Sequence, residues 1–234
     1  MLSLTVSDLV VTGEQDRTLL SVERLHVPAG SAVAVRGPSG AGKSTLIYAL
    51  AGLVRPAQGS IRWGETDIAR LSEAKCAAFR RANIGFVFQD HLLFEELPPV
   101  RNATIASLYS RRRERDEIRA RGADRLTRFG LDTTGKRRSD TFSGGERQRI
   151  AVARALATDP TILLADEPTA SLDRTNADRL SQDLIALSRE EGRLLVAVTH
   201  DPAIHTSVDR IIDVADGRIV EASTQRDSIG ANGA

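Results

Sequence analysis

The stretch from Ser31 to Thr45, SAVAVRGPSGAGKST, decides the fold. Residues 31–36 are short, apolar and alternately β-branched, which predicts a buried strand. Residues 44–53 have helical character, and Gly52 with Pro56 closes them. Between strand and helix, Gly37, Pro38, Ser39, Gly40, Ala41, Gly42, Lys43, Ser44 and Thr45 complete the pattern G-x-x-x-x-G-K-[ST]. Glycines let such a loop take positive φ and turn its backbone N–H groups onto a phosphate. The helix that follows adds unpaired N–H groups and the positive end of its dipole. Lys43 supplies a point charge for the outer phosphates, and the Ser44 hydroxyl can ligate Mg2+.

Further along, Ile162-Leu-Leu-Ala-Asp166-Glu167-Pro168 places two carboxylates at the end of a buried apolar strand. In an open parallel sheet, ligands gather at the carboxyl ends of the strands. Asp166 is placed to hold the Mg2+ shell, and Glu167 to polarise an attacking water. Strand candidates recur at 83–89, 161–165 and 193–199, with helical patterns at 145–157 and 175–189. The alternation predicts an α/β fold: a P-loop NTPase core with a mostly parallel sheet covered by helices on both faces. The N-terminal strands and residues 60–63 form a small antiparallel β flank, and the charged stretch of about 90–140 a helical insertion subdomain. Asp216-Gly217 marks a hairpin turn between residues 210–214 and 218–221. The ATPase domain therefore covers 1–221, leaving 222–234 as a short polar tail.

Composition agrees with a globular chain. Of 234 residues 41% are apolar and 27% charged, enough for one large domain. Lys plus Arg number 32 against 31 for Asp plus Glu, so overall charge gives no sign of a nucleic-acid partner. The one cysteine, Cys76, cannot form an intrachain disulfide and reads as a small, partly buried residue. No apolar run reaches membrane-spanning length, and residues 1–11 lack a basic start. The expectation is a cytoplasmic protein whose membrane role comes through a partner.

Thr141-Phe-Ser-Gly-Gly-Glu-Arg-Gln-Arg149 resembles the signature motif of the ABC ATPases. Other motifs follow in that family's order: Gln89 ends a Q-loop-like Gly85-Phe-Val-Phe-Gln89, Ser171-Leu-Asp173 resembles the D-loop, and His200 follows its strand as the switch histidine does. The resemblance spans residues 4–220. It implies two subunits packed head to tail around two ATP molecules, the phosphate loop of one facing the signature of the other. In that arrangement Ser143, Gly144, Gly145 and Glu146, opening a helix, meet the partner's γ-phosphate. Ser44 and Gln89 ligate Mg2+ with Asp166 behind them, Glu167 activates water, His200 contacts the γ-phosphate, and Asp173 links the two sites. Gln89 also senses a membrane partner.

The resemblance further implies an integral membrane permease on a separate chain, a second and identical ATPase subunit, and a place on the inner face of the cell membrane. Contact with the permease is expected at residues 94–102. The run 144–156 with 165–173 is most like the branch serving lipoprotein release, macrolide export and cell division, and short importer ATPases share these features. One departure concerns the base. The family stacks adenine on an aromatic residue ahead of the phosphate loop, but no aromatic precedes Tyr48, which leaves an aliphatic such as Val11. Glu146 stands where many members have glutamine. The competing reading is a soluble ABC ATPase acting on nucleic acid or ribosomes. Against it stand the single phosphate loop and the lack of a coiled-coil insertion. In the basic run 111–121, Glu114, Asp116 and Glu117 mark a solvated helix face.

Overall fold

Five parallel strands carry the site. The computed structural model describes residues 1–133 and 138–224. Its strands are β1 (Leu4–Thr12), β2 (Thr18–Val27), β3 (Ala32–Arg36), β4 (Gln58–Trp63), β5 (Thr66–Asp67), β6 (Ile84–Val87), β7 (Ile162–Asp166), β8 (Leu194–Val198), β9 (Arg210–Ala215) and β10 (Arg218–Thr224). Its helices are α1 (Lys43–Leu50), α2 (Glu73–Asn83), α3 (Pro99–Ala103), α4 (Arg112–Arg128), α5 (Gly144–Leu156), α6 (Arg174–Glu191) and α7 (Pro202–His205). The strands form one sheet in the order β5-β4-β1-β2-β10-β9-β3-β8-β7-β6. Strands β9, β3, β8, β7 and β6 run parallel. Strands β1, β2, β4 and β5 make the antiparallel flank.

The pleat explains why the central strands are apolar throughout. Val33 and Val35 on β3, Ile162 and Leu164 on β7, and Leu194, Val196 and Val198 on β8 face α1 and the antiparallel flank. Ala32, Ala34, Leu163, Ala165, Leu195 and Ala197 face the opposite layer with α5 and α6. Both faces are buried, so a simple inside/outside alternation disappears. Trp63 is fully buried in the first layer and donates its indole N–H to the Leu50 carbonyl, 3.0 Å away.

Several sequence expectations shift in detail. The helical insertion of about 90–140 is broken into separate pieces. A turn of 3-10 helix, Ile105–Tyr109, separates α3 from α4. Helix α2 was not anticipated, because the polar surface of residues 73–83 covers a single buried side chain, Cys76. Strand β10 passes the expected domain end at Glu221 and pairs Thr224 with Arg210. Of the expected tail, residues 225–234 lie outside the described residues, as do 134–137 of the insertion. Among the described residues no helix is long and apolar enough to cross a membrane.

Candidate nucleotide site

The phosphate loop is held by its own lysine and by the end of the sheet. Lys43, nearly buried, donates to the Gly37 and Pro38 carbonyls at 2.8 and 2.9 Å. Glycine at position 37 is obligatory: a Cβ there would fall 1.9 Å from the Val214 carbonyl oxygen. Gly42 takes φ +100 as the N-cap of α1, a left-handed geometry other residues resist. The hairpin at Asp216 and Gly217 braces the loop from behind, with Gly217 N–H donating to Ala41 O at 3.0 Å.

The two acids arrive with β7. Its register with β8 sets Asp166 opposite Val198, so Glu167 and His200 leave adjacent strand ends together. Asp166 is buried, and the Ser44 hydroxyl donates to its Oδ1 at 3.5 Å. Burial pushes the Asp166 carboxyl up, while Ser44, Tyr48 and Lys43 pull against that. Glu167 sits at φ +46, fixed by its N–H to Val198 O at 2.8 Å, with Oε1 3.5 Å from His200 Nε2. Burial raises its carboxyl too, and His200 opposes the rise. A raised carboxyl pKa suits a general base working near neutral pH.

A cleft of about 750 Å³ unites Ser39, Gly40, Gly42, Lys43, Ser44, Thr45, Gln89, Asp166, Glu167 and His200. Ser143, Gly144, Gly145 and Glu146 do not line it. They open α5 in a capping box: Ser143 N–H donates to Glu146 Oε2 at 2.8 Å, and Glu146 N–H to Ser143 Oγ at 3.2 Å. Asp173 caps α6 through Asn176, whose N–H and side-chain amide donate to its carboxylate at 3.0 and 2.5 Å. Those bonds hold the Asp173 pKa below the usual carboxylate range. Arg149 of α5 donates to Asn176 Oδ1 at 2.8 Å, tying the signature helix to this cap.

One expectation needs correction. Val11 is fully buried and cannot meet a base. An apolar side chain that does line the cleft is Leu19 of β2, 39% exposed beside the phosphate loop. The sequence hid it because Leu19 and Leu20 are consecutive leucines, and only the pairing of β2 shows which faces outward. Exposure varies along the segment 94–102. Asn102 is buried and bonds Phe94, Leu97 and Ser139, whereas Leu92 and Phe94 are exposed. Sequence reasoning also missed Arg174, which lines the cleft from the start of α6.

A phosphate loop, buried acid, second acid and histidine at the carboxyl ends of one parallel sheet define a nucleotide-binding cassette of the P-loop class. The ABC transporter family model matches residues 20–170. The lipoprotein-releasing system ATP-binding protein LolD of Chromohalobacter salexigens is 40% identical, over 89% of this chain and 88% of that protein. The macrolide export ATP-binding/permease protein MacB 1/2 of Paracoccus denitrificans is 41% identical, over 89% of this chain and 31% of the larger protein. The dimeric post-hydrolysis state of the ATP-binding cassette MJ0796 bound to ADP and Pi superimposes with a TM-score of 0.86 at 31% identity, over 94% of this chain and 98% of that one. The chain belongs to the ABC transporter family, as an ATP-binding and ATP-hydrolysing subunit.

Proposed function

We propose that this subunit works as one half of a head-to-tail pair, driving a separate membrane permease through ATP-dependent closure and reopening. The observation that carries this reading is the convergence of Lys43, Asp166, Glu167 and His200 on one cleft. Lys43 and the loop N–H groups bind the phosphates, and Leu19 offers the base an apolar surface. Glu167 accepts a proton from water as its oxygen attacks the γ-phosphorus and ADP leaves. His200 orients Glu167 and meets the γ-phosphate.

The donors fit Mg2+: a buried carboxylate on Asp166, the Ser44 hydroxyl bonded to it and the Gln89 amide on the same cleft are oxygen ligands of the kind a hard cation takes beside phosphates. Such an ion neutralises charge on the transferred phosphoryl group.

Ser143, Gly144, Gly145 and Glu146 stand outside the cleft, which supports their serving the nucleotide of a second, identical subunit, with Asp173 between the two sites. Leu92, Phe94, Leu108 and Tyr109 are exposed apolar side chains around the insertion, a surface suited to a permease segment. The subunit would then lie on the inner face of the membrane. Relatives named for lipoprotein release and macrolide export support that branch over an importer, and none of these comparisons supports a nucleic-acid role.

Pull-down of tagged Glu167→Gln from native membranes with ATP tests the reading. Co-purification of a polytopic membrane protein is expected; ribosomes or nucleic acid in its place would overturn it.

A further inference from the structure

Two loops at the edge of the nucleotide cleft meet through a side chain to which no role has been given. His91 lies two residues beyond Gln89, at φ +60, and Leu92 follows at φ +47. Neither residue is glycine, so this geometry must be held from outside. Arg154 of α5 holds it: its guanidinium donates to the His91 carbonyl at 2.6 Å and also to the Leu92 carbonyl. The turn presents the imidazole to the next loop, where Nε2 lies 3.2 Å from Ser171 Oγ. Ser171 in turn packs against α5, since a Cβ on Gly144 would sit 3.1 Å from the Ser171 carbonyl oxygen. Two residues on, Asp173 caps α6.

The segment 89–94 therefore has three attachments. Gln89 reaches the nucleotide cleft, Leu92 and Phe94 stand exposed on the outer surface, and His91 reaches the 171–173 loop. Resting on the motor reading above, we infer that His91 is a positioning residue whose bond to Ser171 makes the exposed loop and the Asp173 loop move as one unit. A displacement at Leu92 or Phe94 then reaches the cleft by two routes: along the backbone to Gln89, and across the His91–Ser171 bond to Asp173.

Steady-state hydrolysis of Mg-ATP by the purified full chain tests this with His91→Ala, Ser171→Ala, the double variant and His91→Gln. Each single alanine variant should lower kcat about three- to tenfold, the rate equivalent of one lost hydrogen bond. KM should stay within about twofold, because neither residue lines the cleft. The double variant should be no slower than the singles. His91→Gln, whose amide can replace Nε2, should recover most of the rate. Multiplicative losses, a His91→Gln variant as slow as the alanine, or a loss confined to KM would overturn the proposal.

Hydrogen exchange gives a readout that needs no turnover. The Ala170 and Leu172 amides, bonded to the Glu167 and Thr169 carbonyls at 3.2 and 3.1 Å, should exchange faster in both alanine variants. Unchanged exchange would refute the link. A wild-type chain without ATPase activity would instead defeat the motor reading, with exchange still deciding the link.

Discussion

Glu167 Oε1 and His200 Nε2 stand 3.5 Å apart because β7 and β8 end in register, with Asp166 opposite Val198. The pair is a product of sheet geometry, and its roles can be separated by substitution. Glu167→Gln keeps the shape and removes the base. It should bind ATP normally while kcat falls at least about a hundredfold, the usual contribution of a positioned base. Single-turnover hydrolysis with radiolabelled ATP reads both quantities, and wild-type turnover would remove Glu167 from the mechanism.

Lys43→Ala removes a nearly buried cation that binds two loop carbonyls and is proposed to serve phosphate. The loss should exceed that of a surface charge, with ATP affinity down about a hundredfold or more by calorimetry. Unchanged affinity would contradict the placement of phosphates on this loop.

Ser143→Arg leaves the cleft of its own chain untouched, because Ser143 does not line it. Nucleotide binding by the monomer should persist while turnover and ATP-dependent dimerisation, followed by light scattering, are lost. Full activity would show that each cleft works alone.

Leu19→Tyr adds an aromatic face at an exposed apolar position beside the phosphate loop. ATP affinity should rise about three- to tenfold, the worth of a stacking contact beyond simple burial. No gain would place the base elsewhere.

Glu191 predicts a pH-dependent stability. Burial disfavours its ionisation, but hydrogen bonds from Arg125 and Arg193 outweigh that and hold its pKa below the ordinary carboxylate value. Arg125 of α4 grips it with two bonds of 2.9 Å. A depressed folded pKa contributes stability above the unfolded value of about 4.3, and that contribution is lost as pH falls through the folded pKa. Glu191→Gln should cost about 2–3 kcal/mol at pH 7, since the largely buried Arg125 loses its carboxylate partner while Arg193 keeps only Asp159. The cost should shrink in acid, as denaturant melts at pH 7 and pH 3 would show.

The sheet core and the phosphate loop were legible because their signals are local. A glycine pattern, a lysine and an apolar strand ending in acids each state their own geometry. What stayed hidden depends on neighbours distant in sequence. Leu19 and Val11 are both aliphatic strand residues, and only the pairing of β2 with β1 and β10 decides that one is exposed and the other sealed. Helix α2 has too narrow an apolar stripe to announce itself. His91 looks like any loop histidine until Arg154 bends the chain around it.

The strand that carries the phosphate loop, β3, has no sequence neighbour beside it in the sheet. It lies between β8 and β9, and the loop itself rests on Val214 and Gly217. During synthesis the motif thus leaves the ribosome long before the residues that hold it in shape, and it spends most of that time without partners. A chain cut anywhere between Thr45 and Asp216 would carry every residue of the motif and still lack the residues that brace it. Synthesis past Gly217, rather than appearance of the motif, marks when this loop can first take its shape.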